Sequence, residues 1–334
     1  MKRNSRNFCE GKLVIFFTIS ISVIALMIWF FLHLAAIEKY KIRNGLETES
    51  TRVERALIDR IEHTSAIINN INSQIARSPH DAKHINEILE KFKSTPELSD
   101  TFSWTIFSWA NAQNQITVDA NYGILKETID LSSRDYIAFT KSEPNKFHLG
   151  KPVFGSTSKK WMIPGGVGIV DKNGKYLGAT TIGFEIDSLA RSLHQAIQND
   201  NIGLELFSFD GTPILYANNH SFGSSEKSQN HELKTTILSS RNNTQIDVNL
   251  FQNTHGILVK KLGNLPYFLV LKYSVKAINN GLWQGFFSRS VEIFCLFFIA
   301  AFLLIFIYKR EELQRQKIRA LRKIVAQTRS ASKK

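Results

Sequence analysis

Between Leu32 and Phe286 the chain contains no cysteine; its two thiols, Cys9 and Cys295, fall in the leader and in an apolar run. A domain built from the roughly 250 residues between has to be stable without disulfides, and thiol catalysis or a cysteine-based metal site is excluded there. Catalytic motifs are equally scarce. The sequence has no G-x-S-x-G, no H-E-x-x-H and no Walker A loop, and its nine histidines are scattered, so neither a metal nor a cofactor nor a catalytic residue is expected. Gly165-Gly166-Val167-Gly168 is glycine-rich but lies inside a strand pattern and opens no helix, which argues against a phosphate cradle. The central region therefore reads as a binder rather than an enzyme.

Two long apolar runs are present. Leu13 to Leu32 is free of charge, and Phe286 to Tyr308 carries only Arg289 and Glu292 near its start. Each is long enough to span a bilayer core. Residues 1–12 have a net charge of +3 and residues 309–334 a net of +8, together +11 of the chain's +13. Basic residues beside transmembrane segments stay in the cytoplasm, so both termini are expected inside and the central domain outside, in a bacterial inner membrane. The remainder is close to neutral, which argues against a nucleic-acid partner. At twenty apolar residues the first run exceeds a signal-peptide core, and no clean A-x-A site follows, so an uncleaved anchor is expected.

Periodicity orders the rest. Apolar or small residues recur from Ile42 through Leu46, Val53, Leu57, Ile61, Thr64, Ile68 and Ile71 to Ile75, about one every 3.7 residues, with Glu49 the one break. The spacing predicts a stalk helix over 36–78, its stripe packed on its own domain and serving as a dimer seam. A short helix is expected over 81–93, then a hairpin from Thr101–Trp109 and Gln115–Ala120. Ser132–Ser133 is expected to cap a helix SSRDYIAFTKS. Strands follow at 149–154, 160–170 and 176–186, the last two joined by an Asn173-Gly174 turn, and then a helix over 187–198. A smaller cycle repeats the plan, with strands at 204–209 and 213–217 about Asp210-Gly211, a helix at 231–240, and strands at 246–251, 256–261 and 267–274. No low-complexity linker separates the two cycles. The predicted class is α+β, two stacked PAS-like modules on one stalk: 1–12 leader, 13–35 first span, 36–78 stalk, 79–198 membrane-distal module, 199–284 membrane-proximal module, 286–308 second span, 309–334 cytoplasmic helix.

The stretch from Ser132 to Leu189 resembles the core of a double-Cache extracytoplasmic sensor domain of bacterial sensor kinases and diguanylate cyclases. The resemblance rests on Ser132/Arg134/Asp135/Tyr136 at a helix start, Leu149-Gly150-Lys151-Pro152, Trp161-Met162-Ile163, Asp171/Gly174/Gly178, and Glu185 closing a strand. Where many relatives carry paired arginines after the W-x-I strand, this chain has Gly165-Gly166-Val167-Gly168. The resemblance implies a small-molecule pocket in the membrane-distal module, with Arg134, Tyr136, Trp161 and Glu185 as ligand-binding candidates. A guanidinium and an acid together suit a ligand bearing a carboxylate and an amine, an amino acid or a small carboxylate. Each candidate also has an ordinary structural reading: a surface ion pair for Arg134 or Glu185, core packing for Tyr136 or Trp161.

After Tyr308 the tail places Ile318, Leu321, Val325 and Thr328 at steps of 3, 4 and 3, the start of a coiled coil. It resembles the linker before the phosphoacceptor helix of histidine kinases, but carries no H-box, no ATP-binding glycine boxes and no G-G-D-E-F. The leading expectation is a homodimeric, membrane-anchored ligand sensor derived from, or working with, a histidine kinase encoded separately. A non-signalling envelope binding or scaffold protein, and a degenerate kinase remnant, remain as rivals.

Overall fold

A computed structural model describes residues 3–94, 104–155, 158–218, 221–224, 237, 244–250 and 255–331. Two units separate, one of residues 1–38 and 279–334, the other of residues 39–278.

The first unit contains parts of two helices, α1 (Arg3–Ile75) and the last helix, α5 (Val275–Ala331). Both are long and apolar enough to cross a membrane. Phe17, Ile21, Trp29, Leu296, Phe302 and Ile305 are exposed along them. They meet through small and aromatic residues. Phe31 stands edge-on to Phe286 at 5.4 Å, and Leu34 closes over Gly285, where a Cβ would lie 2.9 Å from its Cδ2.

The second unit holds two antiparallel sheets. The first is built from β1 (Trp104–Asn111), β2 (Gln115–Asp119), β3 (Gly123–Asp130), β4 (Phe147–Leu149), β5 (Val153–Phe154), β6 (Trp161–Val170) and β7 (Tyr176–Glu185), in the order β3-β2-β1-β7-β6-β4 with β5 also on β6. The second has β8 (Ile202–Ser208), β9 (Pro213–Asn218), β10 (Ser221–Ser224), β11 (Gln245–Asn249), β12 (His255–Lys261) and β13 (Tyr267–Tyr273), in the order β10-β9-β8-β13-β12-β11. In both sheets three strands meander, the last strand returns beside the first, and its hairpin partner lies outside it. The repeated plan read from the sequence is thus two modules of one topology.

The apolar stripe of α1 is buried from Ile42 to Ile75 except at Ile61, which is half-buried, as its period predicts. Its break, Glu49, is also buried. The Glu49 carboxylate holds Arg52 at 2.8 Å and accepts the Gln198 amide at 3.3 Å, so a charge in the stripe is paired where it is covered. Further along, Glu54 pairs with Lys260 of β12 at 2.7 Å, while Ile42 lies against Gly256 of the same strand. Asn72 reaches the other sheet, donating to the Val167 carbonyl at 3.3 Å and accepting from Thr180 Oγ1 at 2.6 Å. One helix is packed on both sheets.

Helix α2 (Ala82–Lys93) begins where Asp81 Oδ1 accepts the amides of Lys83 and His84. Helix α3 (Asp135–Ser142) departs from expectation, since Arg134 is its N-cap residue and no side chain caps it. Ser132 is held instead by Asp130, whose Oδ1 accepts its amide at 2.9 Å, so the serines belong to the preceding turn. Helix α4 (Ile186–Gln195) follows β7 directly. Strands β3 and β10 have no counterpart in the expected order, and the helix expected over 231–240 lies outside the described residues except at Ile237.

The glycines of β6 have a packing reason. Gly166 and Gly168 face α3, and a Cβ on Gly168 would run into the Thr140 carbonyl; on the other face a Cβ at Gly165 would meet the Phe147 ring at 2.6 Å.

Candidate ligand site

A cavity of about 70 Å³ lies in the first module between the sheet and the start of α3. Its walls are largely apolar, with Ile106, Ile116, Ile129, Phe154, Met162 and Ile182 prominent. Polar groups are few: Asp119 at the end of β2, Asp130 at the end of β3, Arg134 and Tyr136 at the start of α3, and Thr181 of β7.

Arg134 is exposed and takes no ion-pair partner among the described residues, which leaves its guanidinium available at the cavity wall. Tyr136 is 4% exposed, and burial pushes its hydroxyl well above the usual phenol range, so it stays protonated. Asp119 is 5% exposed. Burial raises its carboxyl above the ordinary value, against the amides of Asn121 and Tyr122 and the charge of Lys93, which lower it. Its Oδ1 accepts from the Asn121 amide at 2.8 Å. Asp130 moves the other way, held below the usual range by hydrogen bonds from Ser132. The cavity thus sets a guanidinium and a buried carboxylate into one small apolar space.

Of the four residues singled out in the sequence, Arg134 and Tyr136 line the cavity. Trp161 and Glu185 do not line the cavity. Trp161 packs edge-on behind Phe154 at 5.9 Å, and it is Phe154 that reaches the wall. Glu185, half-buried at the end of β7, pairs with Lys160 at 2.7 Å. The buried acid in the cavity is Asp119, which sequence reasoning passed over because QITVDA reads as a plain alternating strand. A carboxylate closing such a strand with Asn-Tyr-Gly after it is the signal that could have marked it.

No protein-family model matches the sequence, and no curated relative does. Solved structures do match the fold. The extracellular domain of rpHK1S-Z16, assigned as a histidine kinase, superposes with a TM-score of 0.56 at 16% identity, covering 74% of this chain and 98% of that one. The ligand-binding domain of Mlp24, solved with asparagine, gives 0.54 at 15% identity over 75% and 98%. The sensory domain of the Campylobacter jejuni chemoreceptor Tlp3, solved with isoleucine bound, gives 0.51 at 13% over 74% and 97%. The fold is that of a double-Cache sensor domain. In double-Cache terms the first module of this chain is the one that carries the Arg134–Asp119 cavity, and the long helix α1 is the stalk along which both modules are packed.

Proposed function

We propose that this protein is a membrane-anchored sensor, binding a small zwitterion such as an amino acid in the membrane-distal module and passing the event to its cytoplasmic helix. One observation carries the reading: a guanidinium with no ion-pair partner among the described residues and a buried carboxylate line the same small cavity, which matches the two charges of an amino acid. Arg134 takes the ligand carboxylate, Asp119 the ammonium, and Tyr136 and Thr181 supply hydroxyls. That Mlp24 and Tlp3 were solved with asparagine and isoleucine supports this ligand class. The basic flanks of the two apolar helices support cytoplasmic termini, and the outer domain acts by binding without catalysis. Ligand shifts the helices within a homodimer, and the basic end of α5 hands the change to a histidine kinase core.

Thermal melting of the detergent-solubilised protein against a panel of amino acids and small carboxylates tests the assignment. Ligand at about 100 times its dissociation constant contributes about 2.7 kcal/mol, readily visible as a rise in Tm. Arg134→Ala and Asp119→Asn should each remove the rise while the unliganded protein still melts cooperatively. A rise that survives both substitutions would place the ligand elsewhere.

A further inference from the structure

Leu149-Gly150-Lys151-Pro152 joins β4 to β5, and its glycine is there for closeness. Gly150 is not among the residues of positive φ, yet a Cβ on it would lie 2.7 Å from Tyr136 Cδ1 and 2.8 Å from Asp135 Oδ1. A bare backbone is what rests on the start of α3. Two hydrogen bonds fasten it there: the Gly150 amide donates to the Pro164 carbonyl of β6 at 2.8 Å, and the Lys151 amide to Asp135 Oδ1 at 3.4 Å. Asp135 Oδ1 also accepts the Tyr136 amide at 2.8 Å. Tyr136 and Pro164 both line the first cavity, so the Gly150 loop backs two of its walls at once.

The other side of the loop meets the second module. Tyr267, the buried first residue of β13, donates its hydroxyl to the Gly150 carbonyl at 3.1 Å, a bond that closes across 117 residues of sequence. Burial pushes that hydroxyl far above the usual phenol range, and the Asp135 carboxylate adds to the effect, so Tyr267 stays protonated and keeps its hydrogen for the carbonyl. Asp210, in the turn between β8 and β9, meets the loop through charge. Burial raises its carboxyl, but hydrogen bonds from Ser208 and Thr212 and the charge of Lys151 together hold it below the ordinary value. Tyr267 pairs with Ser208 in the ladder, and β13 leads through Tyr273 and Ser274 into α5.

We propose that Tyr267 is a positioning residue of the first-module ligand site: its hydroxyl sets the Gly150 loop, the loop sets Arg134 and Tyr136 at the start of α3, and through the same contact β13 responds to occupancy of the cavity. The proposal rests on the zwitterion reading above. Coupling of this kind is reciprocal and typically about 5–150-fold in affinity. Full-length protein in detergent is titrated calorimetrically with each of the common L-amino acids, and hydrogen exchange of residues 267–273 is followed at saturation. In the wild type the amino acid that binds is expected to slow exchange there, a measurement that needs no variant. Tyr267→Phe keeps the ring and removes the donor; its Kd should rise about fivefold or more, and the slowing in β13 should be gone at saturation. Phe268→Leu controls for simple loss of stability, because Phe268 packs in a core cluster with Phe207, Val259 and Val270. It should lower Tm and leave Kd within about twofold of wild type. Absence of binding by any amino acid to the wild type would end both readings. Binding with an unchanged Kd in Tyr267→Phe, an equal Kd shift in Phe268→Leu, or no slowing in β13 of the wild type would overturn this proposal alone.

Discussion

At the scale of single residues, Asp119 sets binding against stability. A carboxyl whose folded pKa is raised above its unfolded value binds extra protons in the folded state, so its favourable contribution is present below the ordinary carboxylate pKa and is lost as pH rises through the raised value. Asp119→Asn keeps an acceptor for the Asn121 amide and removes the charge. The unliganded variant is therefore expected to melt higher than wild type at pH 7 and with a flatter dependence on pH between about 4 and 7, while losing the ligand response. A lower Tm at pH 7 would mean that the ionised form is the favoured one in the fold. The same residue marks where sequence reading stopped. Arg134 and Tyr136 announce themselves through a helix-start pattern, but Asp119 becomes a cavity group only because β3 and α2 close around the end of β2, and neither packing has a local signature.

At the scale of elements, the stripe of α1 was legible because a 3.6-residue period survives any partner, whereas β3 was not. Its pattern of exposed and half-buried residues belongs to an edge strand with little apolar contrast, and β10 is a four-residue edge of the same kind. The junction of α1 with the first sheet is invisible in sequence, being made by Asn72, Thr180 and Val167 across about a hundred residues. Thr180 faces this helix, while its neighbour Thr181 lines the cavity and hydrogen-bonds Ser108 Oγ at 2.9 Å. The cavity and the stalk are thus one peptide unit apart. Asn72→Ala leaves Thr180 Oγ1 and the Val167 carbonyl without that partner and is expected to cost about 1–3 kcal/mol in chemical denaturation. Thr180→Ala should cost less, and the double variant less than the sum of the two; strict additivity would show that the pair does not interact.

At the scale of the whole molecule, the two-module plan could be read from the sequence because each cycle has its own turn signals, Asn173-Gly174 and Asp210-Gly211, and both glycines adopt positive φ. The strand order could not, since it depends on the last strand of each module returning to its first. Charge makes the orientation testable. With +3 before the first apolar run and +8 after the second, reporter fusions after Lys334 and near Asn201 are expected to give opposite signals, the first cytoplasmic and the second external. Matching signals would refute the topology.

Because one helix serves both sheets, time enters the biology of this chain. Asn72 emerges from the ribosome about a hundred residues before its partner Thr180, a wait of roughly 5–20 s at 5–20 residues per second. Ile42 waits for Gly256 over some two hundred residues, roughly 10–40 s. Throughout that interval a helical row of isoleucines and leucines stands uncovered, the kind of surface that holding chaperones recognise and that like chains aggregate through. A chain arrested after Glu185 would complete the first sheet and still leave the Ile42–Leu46 end of the row bare, so slow or interrupted synthesis is the point at which this molecule is most exposed to loss.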